Sequence, residues 1–384
     1  MSEAVTFSSS QLAALHARLK ALRPAEDPCA KTPVSVKTIP ELGVIFFSGL
    51  SAGKNPYELL LEVAKFVDEN GFNAIWTPER HFTEVGGAYP NPSVLAAALA
   101  TITRNVRLRA GSINLPLHDP MRVAEEWAVV DNLSGGRVDL ALAPGWHVRD
   151  FVLKPENFVA RSDVLNAYRR ELASLWEGGE SSRMDANGAM QSIVTYPRPV
   201  QRQLPLWLTT SQKEDAWRFA GENGLNVLTA LINFGPRDLE KRIRIYREAR
   251  SAAGLDPAKG VVSLMLHTYL DHTDDAAIET VRAPLSEYLK SFVGQHQTAN
   301  TEKDAKVNAI SAVGTDNDDF VDMVFSRYIN TSSLIGSPER AATVLKSFKL
   351  MGVDEVACLL DFGVNRDDTL NSLRLLSSLI REQQ

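Results

Sequence analysis

The chain has 384 residues, of which 44% are hydrophobic and 23% charged, and its formal net charge at pH 7 is −6. This composition is ordinary for a globular protein with a large core, and the acidic balance argues against a nucleic-acid-binding surface, which needs clustered Lys and Arg. No leader pattern opens the chain and no apolar run reaches the roughly 18 residues that span a bilayer, so we expect a cytoplasmic protein without membrane contact. The two cysteines, Cys29 and Cys358, are too few for a disulfide framework, and no metal-binding spacing occurs.

The N-terminal segment differs from the rest of the chain. Residues 10–22 carry leucines at helical spacing, and a stretch with prolines but no periodicity follows them. We therefore predict an appended helix and linker over residues 1–40, ahead of a single domain over residues 41–384.

From Val44 onward, short apolar runs alternate with longer amphipathic segments, which predicts repeated β-α units and a parallel sheet. The eight predicted strands are residues 44–48, 72–76, 106–112, 138–143, 205–209, 225–228, 261–270 and 356–361. The predicted helices are residues 56–70, 92–103, 120–133, 162–177, 213–223, 236–253, 276–292 and 369–381. Eight units indicate an α/β fold of the (β/α)8 TIM-barrel type, with an open doubly wound sheet as the alternative. The polar stretch 295–319 predicts a long mobile insertion before the last unit.

In such a barrel the active site lies in the loops after the strands. The loop after the second predicted strand contains Glu79, Arg80 and His81. An imidazole exchanges protons near neutral pH, and a carboxylate can fix its tautomer by a hydrogen bond. The same residues could instead form a satisfied polar network that only holds the loop.

Small and aromatic residues follow the third and fourth predicted strands. Gly111, Ser112 and Asn114 would let a flat ligand touch the backbone, unless they form a plain turn. Trp146 and His147 could line a pocket for a ring or plug the end of the barrel.

After the fifth predicted strand, Thr210 and Ser211 precede a helix. Hydroxyls and free N–H groups at a helix N-terminus form a phosphate cradle, although ordinary capping by Ser or Thr is the common alternative.

Several motifs together resemble the bacterial luciferase-like monooxygenases, from about Val44 to the end of the chain. They are Glu79-Arg80-His81-Phe82-Thr83-Glu84, Asn91-Pro92, Leu115-Pro116, Asp119-Pro120-Met121-Arg122-Val123-Ala124-Glu125, Asp131-Asn132-Leu133-Ser134-Gly135-Gly136-Arg137 and Gly336-Ser337-Pro338-Glu339. Two further motifs resemble the branch found in and beside nonribosomal peptide and polyketide assembly lines: Gly145-Trp146-His147 with Asp150-Phe151-Val152-Leu153, and Asp361-Phe362-Gly363.

The resemblance implies reduced FMN, supplied by a separate flavin reductase and bound at the C-terminal mouth of the barrel. The protein would use reduced FMN and O2 to oxygenate a small or carrier-protein-bound substrate in natural-product biosynthesis. We also expect a homodimer. The catalytic candidates are Arg80, His81 and His147. The candidate cofactor contacts are Gly111, Ser112, Asn114, Gly145, Trp146, Arg161, Thr210 and Ser211. The family's non-prolyl cis peptide maps to Gly111-Ser112.

Two positions depart from the luciferase pattern. Arg80 stands where luciferases carry the histidine proposed as their base, and a guanidinium is a poor base but a good partner for an anion. Pro144 stands where they carry a phosphate-binding arginine, so hydroxyls and amides would have to hold the phosphate. An F420-dependent oxidoreductase of the same barrel type and a non-catalytic flavin-binding subunit remain as alternatives.

Overall fold

The computed structural model describes residues 37–47, 49, 55–83, 86–231, 234–299 and 318–383. The predicted N-terminal helix, Cys29, Glu84 and most of the predicted insertion lie outside these residues. Within them, no helix is both long enough and apolar enough to cross a membrane.

The central feature is a closed parallel barrel. The described strands are β1 (Glu41–Ile45), β2 (Ala74–Thr77), β3 (Arg107–Asn114), β4 (Val138–Ala143), β5 (Ser181–Met184), β6 (Met190–Ile193), β7 (Leu206–Thr209), β8 (Asn226–Ala230), β9 (Val262–Leu270), β10 (Ser333–Gly336) and β11 (Glu355–Leu359). The large sheet has the order β10-β9-β11-β1-β2-β3-β4-β7-β8, and a parallel pairing of β8 with β9 closes eight of its strands into a ring. The predicted barrel is confirmed, and the open doubly wound sheet is wrong.

Two features of the sheets were not predicted. Strand β9 is longer than its neighbours. The first half of one of its edges pairs with β8, and the second half of the same edge pairs with β10, while β11 pairs with the opposite edge. Strands β5 and β6 form an antiparallel hairpin between the fourth and fifth barrel strands. Strands β5, β6 and β10 have four residues each, which is too short to give a clear periodic signal in the sequence.

The helices lie where the amphipathic segments predicted them, with two additions. They are α1 (Glu58–Glu69), α2 (Pro92–Ile102), α3 (Pro120–Ser134), α4 (Arg161–Glu177), α5 (Glu214–Glu222), α6 (Pro236–Ala252), α7 (Asp274–Ala299), α8 (Asp318–Thr331), α9 (Pro338–Leu350) and α10 (Arg366–Arg381). Helices α8 and α9 were not predicted, and α7 extends beyond its predicted end. Proline occupies the first turn of α2, α3, α6 and α9, where its missing N–H costs no helical hydrogen bond.

Two apolar layers hold the barrel together. The outer layer lies between strands and helices and includes Cys358, which is buried as predicted. The inner layer fills the barrel, where the Trp76 and Trp207 rings meet edge to face with centroids 5.1 Å apart. Arg109 lies against both rings, at 4.8 and 4.6 Å from their centroids. These rings close the barrel interior and leave its C-terminal mouth for a ligand.

Candidate functional site

The mouth of the barrel contains an opening lined by small side chains. Ala143 of β4, Thr209 of β7, Ala230 of β8 and Met265 of β9 are half-buried, although they lie on the barrel strands. Side chains alternate along a strand, and the neighbours of Ala143 and Thr209 belong to the outer apolar layer, so these two side chains point inward. Met265 packs against the inner layer. The opening therefore runs along the inner faces of β4, β7, β8 and β9.

Glu79 is the centre of a hydrogen-bond network beside the mouth. Its Oε1 lies 2.8 Å from Nε2 of His81 and 2.6 Å from Nε2 of His118, and its Oε2 accepts from the Asn114 N–H at 2.7 Å. The Glu79 side chain is fully buried, whereas a third of His118 is exposed. Glu79 thus fixes the position of His81, as predicted, and also holds His118, which the sequence did not single out.

Charge coupling sets the protonation of this network. Burial alone would raise the pKa of Glu79, but hydrogen bonds from His118 and His81 outweigh burial and lower the pKa. Burial likewise would lower the pKa of His118, and the Glu79 carboxylate raises it above its usual 6.5. Glu79 is therefore an anion that favours a protonated His118.

Arg80 lies at the edge of the opening in a desolvated setting. Its guanidinium stacks over the Phe47 ring at 4.6 Å, and burial lowers the pKa of Arg80, while Asp150 and Asp361 act in the opposite direction. Asp361 is fully buried and accepts from the Phe47 and Gly49 N–H groups at 2.8 Å each and from the Tyr89 hydroxyl at 3.2 Å. Asp361 follows the last barrel strand, and only its family motif marked it in the sequence.

The loop after β4 meets the loop after β2. Burial raises the pKa of Asp150, and the charges of His147, His81 and Arg80 lower it in part, so all three lie within electrostatic range. The His147 Nδ1 lies 4.0 Å from the Asp150 carboxylate. The structure therefore brings the three predicted catalytic residues, Arg80, His81 and His147, to one side of the mouth, with Asp150 among them.

Backbone geometry shapes two predicted cofactor contacts. The Gly111–Ser112 peptide is cis, which confirms the geometry that the resemblance implied, and the Ser112 carbonyl accepts from the Glu79 N–H at 3.1 Å. Gly145 has a positive φ of 75°, and a Cβ there would lie 2.8 Å from the Phe151 ring, so this turn requires glycine. Trp146, which follows it, is 41% exposed at the rim.

The turn between β7 and α5 carries Thr210 and Ser211, the residues predicted to form a phosphate cradle. Two hydrogen bonds hold the backbone of this turn. The Trp217 indole N–H donates to the Ser211 carbonyl at 2.8 Å, and the Arg242 guanidinium donates to the Gln212 carbonyl at 3.0 Å. The half-buried hydroxyls of Thr210 and Ser211 bond to no other described residue, and the buried hydroxyl of Thr209 has no partner. The helix begins one residue later than predicted, at Glu214, without a side-chain cap.

Arg161 has its own local contacts. It opens α4, donates to the Phe158 carbonyl at 2.9 Å and lies over the Phe158 ring at 4.7 Å. These contacts place Arg161 on the mouth side of the barrel, where helices begin. Its role in flavin binding stays a prediction.

The sequence matches a known protein family and its members. The model of the luciferase-like monooxygenase family matches residues 42–355. The oxygenase component of a flavin-dependent trigonelline monooxygenase from Acinetobacter baylyi is 25% identical over 321 residues, which are 81% of this chain and 85% of that protein.

Solved structures share the barrel. The oxygenating constituent of 3,6-diketocamphane monooxygenase from Pseudomonas putida, in complex with FMN, has a TM-score of 0.71 at 17% identity over 89% of this chain and 98% of its own. The coenzyme F420-dependent tetrahydromethanopterin reductase from Methanopyrus kandleri has a TM-score of 0.67 at 18% identity over 90% of this chain and 99% of its own. Since the family model covers most of the sequence, the chain belongs to the luciferase-like flavin-dependent monooxygenases.

Proposed function

We propose that the chain is the oxygenase component of a two-component system, which receives reduced FMN from a separate reductase and uses O2 to oxygenate an organic substrate. One observation carries the proposal: hydroxyls without partners and a cluster of ionisable side chains meet at the same opening. Thr209 supplies a buried hydroxyl that lacks a partner, and Arg80, His81 and His147 supply the ionisable groups.

The residues of the mouth fit a flavin mononucleotide. Thr210 and Ser211 would hold the phosphate with hydroxyls and backbone amides, and the ring would lie against Gly111, Ser112 and Asn114 on one side and Gly145 and Trp146 on the other. When bound, reduced FMN supplies the electrons that activate O2. Arg161 would contact the flavin from the start of α4.

The ionisable residues would act on the substrate and its protons. His81 exchanges a proton at the mouth, while Glu79 holds its ring in place through the 2.8 Å hydrogen bond. Arg80 binds an anionic oxygen or carboxylate, because a desolvated guanidinium gains strength as a hydrogen-bond donor to anions. His147 and the exposed Trp146 line the entrance and keep water from the reacting groups.

Flavin affinity tests the phosphate site. In Ser211→Asp, a carboxylate replaces the hydroxyl and repels the phosphate, so we expect FMN to bind at least about tenfold more weakly. Riboflavin, which lacks the phosphate, should lose far less affinity. Ser182→Asp, on the exposed hairpin, is the matched control. Undiminished FMN affinity in Ser211→Asp would place the phosphate elsewhere.

Two alternatives keep the same barrel. An F420-dependent oxidoreductase is supported by the shared fold of the tetrahydromethanopterin reductase. Tighter binding of reduced F420 than of reduced FMN, without O2 consumption, would favour it. A non-catalytic flavin-binding subunit would bind FMN but form no product after anaerobic reduction and an O2 pulse, whereas the proposed oxygenase forms a product that contains ¹⁸O from ¹⁸O2.

The proposal extends to how the substrate arrives. We propose that it carries an anionic group or is tethered to a carrier protein in natural-product biosynthesis, and that residues 1–40 form a separate docking segment ahead of the barrel at 41–384. Deletion of residues 1–36 should then slow turnover of a tethered substrate and spare FMN binding. Equal rates for the truncated and full-length proteins would remove the docking role.

We further propose a homodimer formed through α2 and α3. These neighbouring helices are in contact and expose Val94, Val129 and Leu133 to solvent. A second copy would cover these apolar side chains.

A further inference from the structure

Two histidines share a single oxygen of Glu79. The Nε2 of His118 lies 2.6 Å and the Nε2 of His81 lies 2.8 Å from the same Oε1 atom. None of the Glu79 side chain is exposed, so water screens its charge poorly. The protonation of one ring therefore affects the other through a single buried anion.

The two rings differ in where they lie. His81 follows β2 at the mouth, and 11% of its side chain is exposed. His118 precedes α3, and 34% of its side chain is exposed. His118 can therefore exchange protons with solvent, and the proposed reaction does not yet use it.

The shared oxygen fixes which nitrogen of each ring carries a proton. An ionised carboxylate only accepts hydrogen bonds, so both rings donate from Nε2 to Glu79. Among the described residues, Nδ1 of His81 has no hydrogen-bond partner, since its ring bonds to Glu79 alone. When His81 is neutral, Nδ1 carries a lone pair and can accept a proton. When His81 is protonated, Nδ1 is already occupied.

The surroundings of His118 favour a second proton on that ring. Burial would lower the pKa of His118, but the hydrogen bond and the charge of Glu79 outweigh burial and raise the pKa. The charge of Glu126, on α3, acts in the same direction. The two charged groups that act on His118 are both anions.

The charges around His81 are mixed. Asp150, after β4, is within electrostatic range of His81, and the charges of Arg80 and His147 act on the same carboxyl group. Arg80 also precedes His81 directly in the loop after β2. Two protonated rings on one oxygen would repel each other, so uptake of a proton by one ring opposes uptake by the other. The ring that faces only anions is the one expected to take it.

We propose that His118 is a positioning residue, which takes up the proton that Glu79 attracts and so leaves His81 neutral, with Nδ1 open to a proton from the substrate. The proposal rests on the proposed function in giving His81 the proton transfer. In that step Nδ1 accepts the proton and the bonding electron pair stays on the substrate. Glu79 remains an anion and His118 a cation throughout.

The first test follows the titration of each ring by NMR, in the full-length protein labelled with ¹³C at Cε1 of histidine. The chain has seven histidines, so single variants assign the signals. We expect His118 to keep its second proton to a higher pH than His81. In His118→Gln the side-chain amide can still donate to Glu79, but the positive charge is gone. The titration midpoint of His81 should then rise by about one pH unit, because Glu79 acts on it alone.

Two further variants separate charge from structure. His118→Lys restores a cation beside Glu79 and should keep the titration midpoint of His81 near that of the wild type. His272→Gln, at an exposed histidine, is the matched control and should leave it unchanged.

The second test is the pH profile of product formation, measured by ¹⁸O incorporation. If neutral His81 is the base, the acid limb of the profile should move to higher pH in His118→Gln by the same amount as the NMR midpoint. A shift of one pH unit lowers the rate about tenfold on the acid side and leaves the alkaline rate unchanged. A merely structural role would lower the rate at every pH.

Three NMR results would overturn the proposal: a second proton that goes to His81 before His118, an unchanged His81 midpoint in His118→Gln, or the same shift in His118→Lys as in His118→Gln. If His118→Gln does not fold, the order of the two titrations in the wild type still decides. The NMR titrations need no turnover, so their failure is distinct from failure of FMN-dependent oxygenation.

Discussion

The Arg80 side chain is held in place by its surroundings. Its guanidinium is held over Phe47, and a side chain at Gly86 would collide with it, since a Cβ there would lie 2.3 Å from Cδ of Arg80. The surroundings thus fix the long side chain at the edge of the opening. A guanidinium fixed at this place is a poor base and a good partner for an anion, which is the basis of the proposed anion contact.

Replacing Arg80 with Lys tests this anion contact. The charge remains, but the planar fork that can bind two oxygens is lost, so we expect substrate-dependent product formation to fall about tenfold, the effect of about 1.4 kcal/mol. FMN affinity should stay nearly unchanged. Arg122→Lys, on the exposed face of α3, is the control. Wild-type product rates in Arg80→Lys would contradict the anion contact.

His118 gives a second residue-level prediction, on pH dependence. Its pKa is raised in the folded protein by Glu79, so the stabilisation that it contributes is fully present below its unfolded value of 6.5 and is lost as the pH rises through the folded value. The difference in melting temperature between the wild type and His118→Asn should therefore be largest below about pH 6.5 and should shrink as the pH rises above it. Thermal unfolding followed by circular dichroism measures it, with surface His272→Asn as the control. A constant difference would mean that Glu79 does not hold a protonated His118.

Among helices and strands, the sequence predicted those whose apolar residues repeat with a clear period. Strand β4 was predicted with the bounds that the structure has, Val138–Ala143, because apolar residues and turn signals agree there. Strand β1 begins at Glu41, three residues before its predicted start, since pairing with β11 from Glu355 onward, and not local pattern, determines where it begins. Strand β10 consists of four residues between helices, and its pairing with β9 is decided by tertiary contact.

One buried arginine joins three strands near the N-terminal ends of the barrel strands. Arg109 of β3 donates to Asp139 of β4 at 2.6 Å and to Glu355 of β11 at 2.6 Å. Burial would lower the pKa of Arg109, but the two carboxylates raise it, so the guanidinium is charged. Three strands of the ring are thus joined through one side chain.

Arg109→Met should therefore destabilise the protein by about 3–5 kcal/mol, because it leaves the buried Glu355 carboxylate without its guanidinium partner, while Asp139 keeps its pair with Arg107. Urea denaturation measures the loss. The double variant Arg109→Met with Glu355→Gln should recover part of it, since that charge is then removed. Lys37→Met, which removes an exposed pair with Glu41, should change stability by less than about 1 kcal/mol. A loss as small as that of the surface control would show that the three strands do not depend on this cluster.

Across the barrel, the sequence predicted which loops meet better than it predicted side-chain contacts. The rule that barrel chemistry follows the strands indicated that Arg80, His81 and His147 lie together at the mouth, as they do in the structure, and their catalytic roles stay a prediction. His118 became visible only in three dimensions, and only a family motif marked Asp361 in the sequence. Asp361 binds the Phe47 amide across 314 residues of sequence, and only ring closure makes them neighbours.

An apolar face on two neighbouring helices predicts how two copies of the chain assemble. Val94 on α2 and Val129 and Leu133 on α3 are 63%, 44% and 52% exposed, and together they form an apolar face on two helices in contact. A stable interface buries about 1,200–2,000 Å² and concentrates apolar side chains at its centre, so a second copy of the same face fits this surface. The variant Val129→Asp with Leu133→Asp should place like charges across that interface and give monomers.

Light scattering after size exclusion measures the mass of each variant. Leu350→Asp, at a residue of α9 that is 49% exposed, should leave the dimer intact. The charged variant should keep its FMN affinity, because α2 and α3 lie outside the barrel and the phosphate turn is between β7 and α5. A monomeric wild type, or a charged variant that still elutes as a dimer, would show that this face does not join two copies.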